Sequence, residues 1–350
     1  MVVVTTAPPE SSPPAPIEDH FQGRPGSGRS RHFAEGSRIL VSGGAGFVPS
    51  HVVDRLLERG ATVVAVDNFI TGTKENIAHH EHNPRFTLVE ADIAEPLPAV
   101  PALADRFDAI LHLASPASPT DFRRYSLEIM RVNGVGTLHL LERAVADGSR
   151  FLLASTSEAY GDPLVHPQPE SYWGNVNPVG ERAVYDESKR FAEAATMAYH
   201  RDRNADVAIV RIFNTYGPRM ALCDGRAIPT FITQALRGEP VTVMGTGEQT
   251  RSICYVDDLV RGILALLDSD ETGPVNCGAA HEITVRALAE TVVALVGSSS
   301  PIVHVTKAPD DPERRRPDLT FARRVLGYEP QVSPEDGLRR TVEYFRQRLA

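Results

Sequence analysis

The chain has 350 residues, of which 42% are hydrophobic and 23% are charged, and its formal net charge at pH 7 is −9. These proportions are ordinary for a soluble globular enzyme. The negative charge argues against general binding to nucleic acid or to anionic membranes, because neutralising phosphates takes a basic surface. We therefore expect any phosphate-bearing ligand to meet a local group of arginines.

Cysteine usage and the absence of long apolar runs in the sequence indicate a cytoplasmic protein. Cys223, Cys254 and Cys277 are far apart and form no CxxC pair, so we expect neither a disulfide framework nor a metal site. No apolar run reaches the roughly 18 residues that span a bilayer. The first residues also lack the basic start and apolar centre of a signal peptide. We therefore expect no membrane partner.

Residues 1 to about 36 are rich in Pro, Ser and Gly, which predicts a disordered tail. From Ser37 onward, short β-branched runs alternate with helical stretches. These runs are RILVS, TVVAV, FTLVEA, DAILHL, RFLLAS and VAIVRI. Continuous apolar runs are typical of strands covered on both faces. The alternation predicts an α/β fold, a Rossmann-like doubly wound parallel sheet.

After about Thr215 the regular alternation of strands and helices gives way to longer loops and shorter elements. The last predicted element is a helix from about Pro334 to Leu349. We predict a Rossmann domain that binds a dinucleotide over residues 37–215, with residues 251–277 returning to it. Residues 216–350 are predicted to form a smaller, partly interleaved C-terminal substrate-binding lobe.

A glycine-rich turn, Gly43 to Gly46, follows the first predicted strand, and a helix is expected to start near Phe47. Such a helix N-terminus offers free N–H groups and a positive dipole end to a diphosphate. The next strand ends in Asp67, 21 residues after Gly46. A carboxylate there would accept hydrogen bonds from the adenosine ribose and repel a 2′-phosphate, which favours NAD over NADP.

Pro49 stands where the third glycine of such a turn is expected. In the first turn of a helix the N–H groups have no intrahelical partner, so a proline there loses no hydrogen bond. The carbonyl four residues back belongs to Ala45 in the turn, which avoids the usual clash. We expect the site to tolerate Pro49 at some cost to the packing of helix against strand.

The sequence YDESK places Tyr185 and Lys189 four residues apart, on one face of a helix. A nearby ammonium stabilises a phenolate, so we expect Lys189 to lower the pKa of Tyr185 from about 10 toward the working pH. That change would make Tyr185 a general base for an alcohol being oxidised. Thr156, at the end of a buried strand, lies where α/β sheets bind ligands.

These features resemble the extended short-chain dehydrogenases/reductases of the NAD-dependent epimerase/dehydratase family, and the resemblance runs from about Ser37 to Leu349. The motifs and residues that resemble those of the whole family are the glycine turn, Asp67, ADI at 91–93, Asn133, Thr156, Tyr185 and Lys189. Within the family the chain is most similar to the UDP-glucuronate decarboxylases. That closer likeness rests on HLASPASP at 112–119, STSEAYGDP at 155–163, YWGNVNP at 172–178, IFNTYGPRM at 212–220, GEQTRSICYVDDL at 247–259 and DDPERRRPDL at 310–319.

The resemblance implies a bound NAD and a UDP-glucuronate substrate. Implied NAD contacts are Gly43, Gly46, Phe47, Val48, Asp67, Asn68, Asp92, Ile93, Leu113, Ser115, Asn133, Tyr185 and Lys189. Implied substrate contacts are Pro116, Ser118, Arg131, Asn214, Arg226, Gln249, Arg251 and Arg315. Which of Arg314, Arg315 and Arg316 points inward stays open. Two departures from the family pattern are Met244 in place of an aromatic residue and Arg131 in place of a lysine.

The implied reaction oxidises C4 of the sugar with NAD, releases the C6 carboxylate as carbon dioxide from the 4-keto uronic acid, and then reduces C4 again to give UDP-xylose. Tyr185 with Lys189 would act as the base and Thr156 would hold the 4-oxygen. Glu158 is the fourth implied catalytic residue. Related dehydratases carry an Asp-Glu pair where this chain has Ser157 and Glu158, so the missing aspartate argues against dehydration.

Two alternatives remain open from the sequence. One is another enzyme acting on the same 4-keto intermediate, either a UDP-glucuronate 4-epimerase or an apiose-forming enzyme. The other is a non-catalytic NAD-binding homologue in which Pro49 has spoiled the glycine turn. By analogy with the family, we also expect a homodimer in which helices around 126–147 and 181–203 pair across a two-fold axis.

Overall fold

The computed structural model describes residues 31–222, 224–306 and 314–349. The strands of these residues, in chain order, are β1 (Arg38–Ser42), β2 (Thr62–Asp67), β3 (Phe86–Glu90), β4 (Ala109–His112), β5 (Arg150–Thr156), β6 (Asp206–Ile212), β7 (Thr215–Tyr216), β8 (Val241–Met244), β9 (Thr250–Ser252), β10 (Cys254–Tyr255), β11 (Val275–Cys277), β12 (Glu282–Thr284), β13 (Ile302–Val305) and β14 (Arg314–Arg315).

The α-helices of the same residues are α1 (Phe47–Glu58), α2 (Pro101–Ala104), α3 (Pro119–Arg124), α4 (Ser126–Arg131), α5 (Thr137–Asp147), α6 (Ala183–Arg203), α7 (Ala227–Arg237), α8 (Val256–Asp268), α9 (Val285–Val296), α10 (Thr320–Leu326) and α11 (Pro334–Leu349). A π-helical stretch, Val132–Gly136, joins α4 to α5. Short 3₁₀ turns lie at Lys74–Asn76, Ala78–His80 and Ser157–Tyr160. Among these described helices, none combines the length and apolar character that crossing a membrane requires.

Seven strands form the central sheet, in the order β11-β6-β5-β4-β1-β2-β3. All neighbouring pairs are parallel. The strand order reverses between β1 and β4, so the loops after these two strands leave a crevice between them, the usual ligand site of such sheets. The predicted doubly wound parallel sheet is confirmed.

Helices cover both faces of the sheet because its strands are apolar on both sides. Ile39 and Val41 of β1 belong to the core under α1 and α8, whereas Leu40, between them, belongs to the core under α5 and α6. Burying one such side chain stabilises the fold by roughly 1.5–3 kcal/mol. This two-sided burial fixes the register of the central strands and the position of their carboxyl ends.

Among its described residues, the C-terminal part contains three small sheets, β8 with β13, β7 with β10, and β9 between β12 and β14. Helices α7, α9 and α11 pack against one another beside them. The chain also crosses back to the first part. Helix α8 packs against α1, and β11 extends the central sheet by pairing with β6.

The N-terminal segment joins the fold earlier than expected. Residues 1–30, most of the predicted disordered tail, lie outside the described residues, as does Cys223. Residues 31–36, by contrast, pack against the domain. Phe33 is buried, its N–H donates to Asp268 at 3.1 Å, and Arg31 pairs with Asp206. The predicted boundary of the tail near residue 36 therefore lies too far along the chain, because the Phe33 side chain and the Arg31 guanidinium anchor residues 31–36 to the domain.

Candidate active site

A cavity of about 680 Å³ opens at the carboxyl ends of β1, β4, β5 and β6, between the central sheet and α7 of the C-terminal part. Most of the predicted site residues line it. They are Gly43, Gly46, Phe47, Val48, Asp67, Asn68, Asp92, Leu113, Ser115, Pro116, Ser118, Thr156, Glu158, Tyr185, Lys189, Asn214, Arg226, Gln249, Arg251 and Arg315. Three predicted residues, Ile93, Asn133 and Arg131, do not.

The glycine turn leaves little room for a side chain at Gly43 and Gly46. Gly43 has φ +72°, and a Cβ there would lie 2.7 Å from Cα of Ala114. A Cβ on Gly46 would lie 3.1 Å from the carbonyl oxygen of Gly43, which already accepts the Gly46 N–H at 2.8 Å. Helix α1 begins at Phe47, as predicted, and Phe47 and Val48 line the cavity. The close backbone turn at a helix N-terminus fits the diphosphate of a dinucleotide.

Pro49 lies in the first turn of α1, and its ring packs against Gly46. A Cβ added to Gly46 would lie 3.5 Å from Cδ of Pro49. Proline has no N–H for the carbonyl of Ala45. That carbonyl instead accepts the backbone N–H of Thr73 at 3.1 Å and the Asn76 side-chain amide at 2.9 Å. The segment after β2 therefore satisfies the acceptor that Pro49 leaves open, and the turn keeps its shape.

Asp67 is buried at the end of β2 and also borders the cavity. Its Oδ2 accepts the N–H of Ala45 at 2.9 Å, and its Oδ1 accepts the N–H of Phe69 at 2.8 Å. Burial raises the pKa of this carboxyl, and the two backbone donors counteract the rise. The side chain holds the glycine turn in place, and each oxygen retains a lone pair for a ribose hydroxyl.

Beside it, the Asn68 amide donates to Asp92 at 3.2 Å at the cavity edge. Ile93, expected to contact NAD, is instead buried against Gly136, where a Cβ would lie 3.0 Å from Cδ1 of Ile93. Its apolar side chain packs in the hydrophobic core and not against the cavity.

Asn133 is the second predicted cofactor contact that lies outside the cavity lining. It is buried in the π-helical stretch, and its amide donates to Oγ of Ser115 at 3.1 Å and to Oγ of Ser188 at 3.0 Å. Ser115 does line the cavity. Asn133 therefore orients a lining residue from behind.

Tyr185 and Lys189 lie on one face of α6, below Thr156 at the end of β5. Only 6% of Tyr185 and 2% of Lys189 is exposed. Nζ of Lys189 donates to the carbonyl of Ala154 at 2.9 Å and lies 5.9 Å from the centre of the Tyr185 ring. Phe122 stacks on the same ring at 4.9 Å. The stacking and the buried lysine restrict the phenol to one position in the cavity.

The expected lowering of the Tyr185 pKa is not observed. Burial raises the pKa of Tyr185 above its usual value, against the effect of a hydrogen bond with Thr156. Burial also lowers the pKa of Lys189 to about 7, so its ammonium is only partly charged near neutral pH. The difference arises because both groups are buried, and desolvation outweighs the effect of the nearby ammonium. Tyr185 is thus held as a phenol, the form that donates a proton to a 4-oxygen.

Glu158 lies between two guanidinium groups that come from distant segments. Both Nη atoms of Arg315 donate to its carboxylate, Nη2 at 2.7 Å, and Nη2 of Arg182 donates at 2.6 Å. Although burial opposes ionisation, the two arginines hold the pKa of Glu158 well below its usual range. Glu158 is therefore a carboxylate that cannot supply a proton at neutral pH.

Arg182 was not among the residues predicted for the site, although the sequence contained a signal for it. The residue stands three positions before Tyr185, at the start of α6, where that spacing brings it to the same side of the helix. The choice among the three consecutive arginines is also decided. Arg315 is buried, whereas Arg314 is exposed, because side chains alternate along β14 where it pairs with β9.

Four other predicted substrate contacts converge on the cavity from separate segments. Arg226, before α7, pairs with Asp224 through Nε at 2.7 Å and lies over the ring of Phe47 at 5.9 Å. Arg251 donates to the carbonyl of Thr250 at 2.8 Å. Gln249 and Asn214 complete the lining of this part.

Two sequence departures from the family have different outcomes. Met244 lines the cavity, and its carbonyl accepts the Gln249 amide at 2.8 Å. Arg131 lies outside the lining, on the exposed side of α4, where it pairs with Glu95. In this structure a surface carboxylate holds the Arg131 guanidinium outside the cavity, and its contact with the substrate stays a prediction.

Comparisons with known proteins agree with this geometry. A family model described as "NAD dependent epimerase/dehydratase family" matches residues 39–278. UDP-glucuronic acid decarboxylase 3 of Arabidopsis thaliana is 48% identical over 346 residues, 99% of this chain and 96% of that protein. UDP-glucuronic acid decarboxylase 1 of Xenopus tropicalis is 49% identical over 312 residues, 89% of this chain and 73% of that protein.

A solved structure extends the likeness to the whole fold. The UDP-glucuronic acid 4-epimerase of Bacillus cereus, in complex with UDP-glucuronic acid and NAD, superposes with a TM-score of 0.81 at 29% identity. The superposition covers 89% of this chain and 99% of that one. The glycine turn, the Tyr185 and Lys189 pair and the matched family model lead to one conclusion: this chain belongs to the NAD-dependent epimerase/dehydratase family.

Proposed function

We propose that this protein is a UDP-glucuronate decarboxylase, which converts UDP-glucuronate into UDP-xylose and carbon dioxide. The observation that carries the proposal is the position of Glu158 with Arg182 and Arg315, in the same cavity as Thr156 and Tyr185. Glu158 is ionised and the residue before it is Ser157 rather than an aspartate, so this pair of positions cannot protonate a leaving hydroxyl as the Asp-Glu pair of a dehydratase would. The strong likeness to curated decarboxylases supports the same reaction.

NAD fits the glycine turn, and when bound it supplies a reversible two-electron oxidant for C4 of the sugar. Gly43, Gly46, Phe47 and Asp67 would hold it. Thr156 and Tyr185 both offer a hydroxyl to the 4-oxygen, and Tyr185 exchanges a proton with it in the oxidation and reduction steps. Lys189, with a pKa of about 7, gains charge when a negative group approaches, which favours phenolate formation during oxidation.

Carbon dioxide leaves from a 4-keto uronic acid, which is a β-keto acid. The electrons of the C5–C6 bond move toward the C4 ketone, and the resulting enolate oxygen needs hydrogen-bond donors. Thr156 and the protonated Tyr185 provide them. C5 then takes a proton from the solvent. Arg182 and Arg315 already bind one carboxylate, that of Glu158, so they also suit the C6 carboxylate as it enters the cavity.

The UDP portion needs positive charge in an acidic protein. Arg226 and Arg251 lie in the cavity lining and suit the diphosphate oxygens. Met244 offers an adaptable apolar surface beside Gln249 for the base and ribose.

A homodimer in the cytoplasm completes the proposal. Support for the dimer comes from large apolar side chains exposed on α4, the π-helical stretch and α6, namely Leu127, Met130, Val135 and Phe191. Such a patch is typical of a covered surface. The two described cysteines, Cys254 and Cys277, are buried free thiols, which suits a reducing compartment.

Incubation of the full chain with UDP-glucuronate and NAD, followed by mass spectrometry, tests the proposed reaction. We expect a product lighter by one carbon dioxide. A product of unchanged mass and shifted retention would instead indicate a 4-epimerase, and no turnover with NAD still bound would indicate a non-catalytic homologue. The matched control is Tyr185→Phe, for which we expect NAD binding to persist and turnover to be lost.

A further inference from the structure

Three side chains outside the cavity lie together where the segment after β2 meets helix α1. Asp54 is on α1, and His79 and His80 are in the 3₁₀ turn Ala78–His80. Nε2 of His79 lies 2.8 Å, and Nε2 of His80 2.7 Å, from the same oxygen, Oδ1 of Asp54. The three atoms all lie within 4.8 Å of one another. The proposed reaction uses none of these residues.

We propose that Asp54, His79 and His80 bind a divalent transition metal of the zinc class. Two imidazole nitrogens and one carboxylate oxygen are a common zinc ligand set, with water in the fourth position. Bonds to zinc of about 2.0–2.2 Å place neighbouring ligand atoms about 3.3 Å apart. The side chains therefore need to open by about half an ångström. His79 is 45% exposed in its side chain, which leaves it room to do so.

The charge state of Asp54 suits a metal ligand. Burial opposes its ionisation, but the nearby guanidinium of Arg219 keeps the pKa of this carboxyl below its ordinary value. Nη2 of Arg219 lies 2.7 Å from Oδ2, so the other oxygen, Oδ1, is left to the two histidines. An outer partner of this kind commonly orients a carboxylate that binds a metal through one oxygen.

Metal binding requires that neither Nε2 atom carries a proton. In the present arrangement both Nε2 atoms face a carboxylate oxygen as hydrogen-bond donors. Each neutral imidazole would carry its proton on Nδ1 and offer the bare Nε2 to the ion. The nearby guanidinium of Arg219 opposes the approach of a cation, so all three ligand atoms are needed to hold it.

The three residues are connected to the glycine turn through the segment after β2. The segment that ends in His79 and His80 begins with Thr73 and Asn76, which donate to the carbonyl of Ala45. A metal that joins this segment to α1 would hold both donors on the glycine turn. We therefore expect metal and NAD to bind cooperatively, a consequence that rests on the proposed NAD site and is reciprocal between the two ligands.

The test uses the untagged full chain, stripped of metal with a chelator and titrated with Co²⁺, whose visible absorption reports tetrahedral nitrogen and oxygen coordination. We expect one equivalent to bind and Zn²⁺ to displace it. Loss of an outer-shell partner costs about 10–100-fold in affinity, so loss of a direct ligand in His80→Ala or Asp54→Asn should cost at least as much. His82→Ala, an exposed neighbour, is the matched control and should bind as the wild type does.

Thermal unfolding and UDP binding confirm that each variant is folded. Absence of saturable Co²⁺ binding by the wild type would overturn the site, as would equal affinities in the His79→Ala/His80→Ala double variant and the control. Zn²⁺ should tighten NAD binding in the wild type and not in the double variant. An unchanged NAD affinity would overturn the cooperativity alone. Metal binding requires neither NAD nor turnover, so its outcome is independent of the proposed reaction.

Discussion

Both terminal nitrogens of Arg315 donate hydrogen bonds to the carboxylate of Glu158, and Nη2 lies 2.7 Å from Oε2. The two residues are 157 positions apart in the chain. Arg315 is almost fully buried, so this contact makes the far C-terminal segment part of the cavity floor. Planar two-point contact of this kind is available to arginine and not to lysine.

We expect Arg315→Lys to lower turnover by at least about 100-fold, since misplacing a group that holds the substrate has effects of that size. If Arg315 acts on the C6 carboxylate, oxidation at C4 continues and reduced cofactor accumulates during a single turnover. Cofactor absorbance and product mass measure both effects. Arg314→Lys, on the exposed neighbour, should behave as the wild type. Equal losses in the two variants would contradict the assignment.

Substitutions in the glycine turn separate the role of Pro49 from that of Gly46. Pro49→Gly removes the buried ring and loosens the unfolded chain, so we expect the free energy of unfolding to fall by about 1–3 kcal/mol. NAD affinity should stay within about threefold, because Ala45 keeps its two donors.

Gly46→Pro removes the N–H that Gly46 donates to Gly43 and should abolish NAD binding. Calorimetric titration with NAD, with circular dichroism as the folding check, measures both variants. If both bind NAD equally well, this turn does not hold the pyrophosphate.

Burial of Lys189 makes stability depend on pH in a definite direction. Its pKa falls to about 7 in the folded chain, whereas an unfolded lysine keeps its proton up to about 10.4. Between these values the unfolded state binds more protons, so the free energy of unfolding rises with pH by up to about 1.4 kcal/mol per unit.

We expect Lys189→Met to lack this rise between about pH 7 and 10. Comparing slopes removes the constant cost of losing the hydrogen bond to Ala154. Denaturant unfolding at several pH values measures the slopes, and Lys74→Met, at an exposed position, is the control. Parallel curves for wild type and Lys189→Met would mean that the buried lysine keeps its charge.

The proposed dimer predicts that one charge on α4 separates the subunits. Leu127 is 69% exposed in the single chain. Leu127→Glu places a carboxylate in the proposed interface. Dimer formation would then remove water from that charge, which costs free energy. We therefore expect a monomer by light scattering at micromolar concentration. Val305→Glu, at an exposed position on β13 outside these helices, should leave the dimer intact. A wild-type monomer at that concentration would refute the interface.

Sequence patterns alone were sufficient for the fold and for much of the cavity. Apolar runs on both faces of each strand required a covered parallel sheet, and the strand ends then brought Gly43 and Thr156 to one edge. These are local regularities, because strand and helix periods depend on neighbouring residues. The start of α1 at Phe47 and the accommodation of Pro49 came from the same local rules.

Only the tertiary structure decided the contacts between distant segments and the electrostatics that depend on burial. Spacing along the chain contains no distance between Glu158 and Arg315, nor between Asp54 and His80. It could not separate Arg131, held by a surface carboxylate, from the arginines that line the cavity. It also gave the wrong direction for the pKa of Tyr185, because desolvation depends on everything packed around a group and not on one neighbour four residues away.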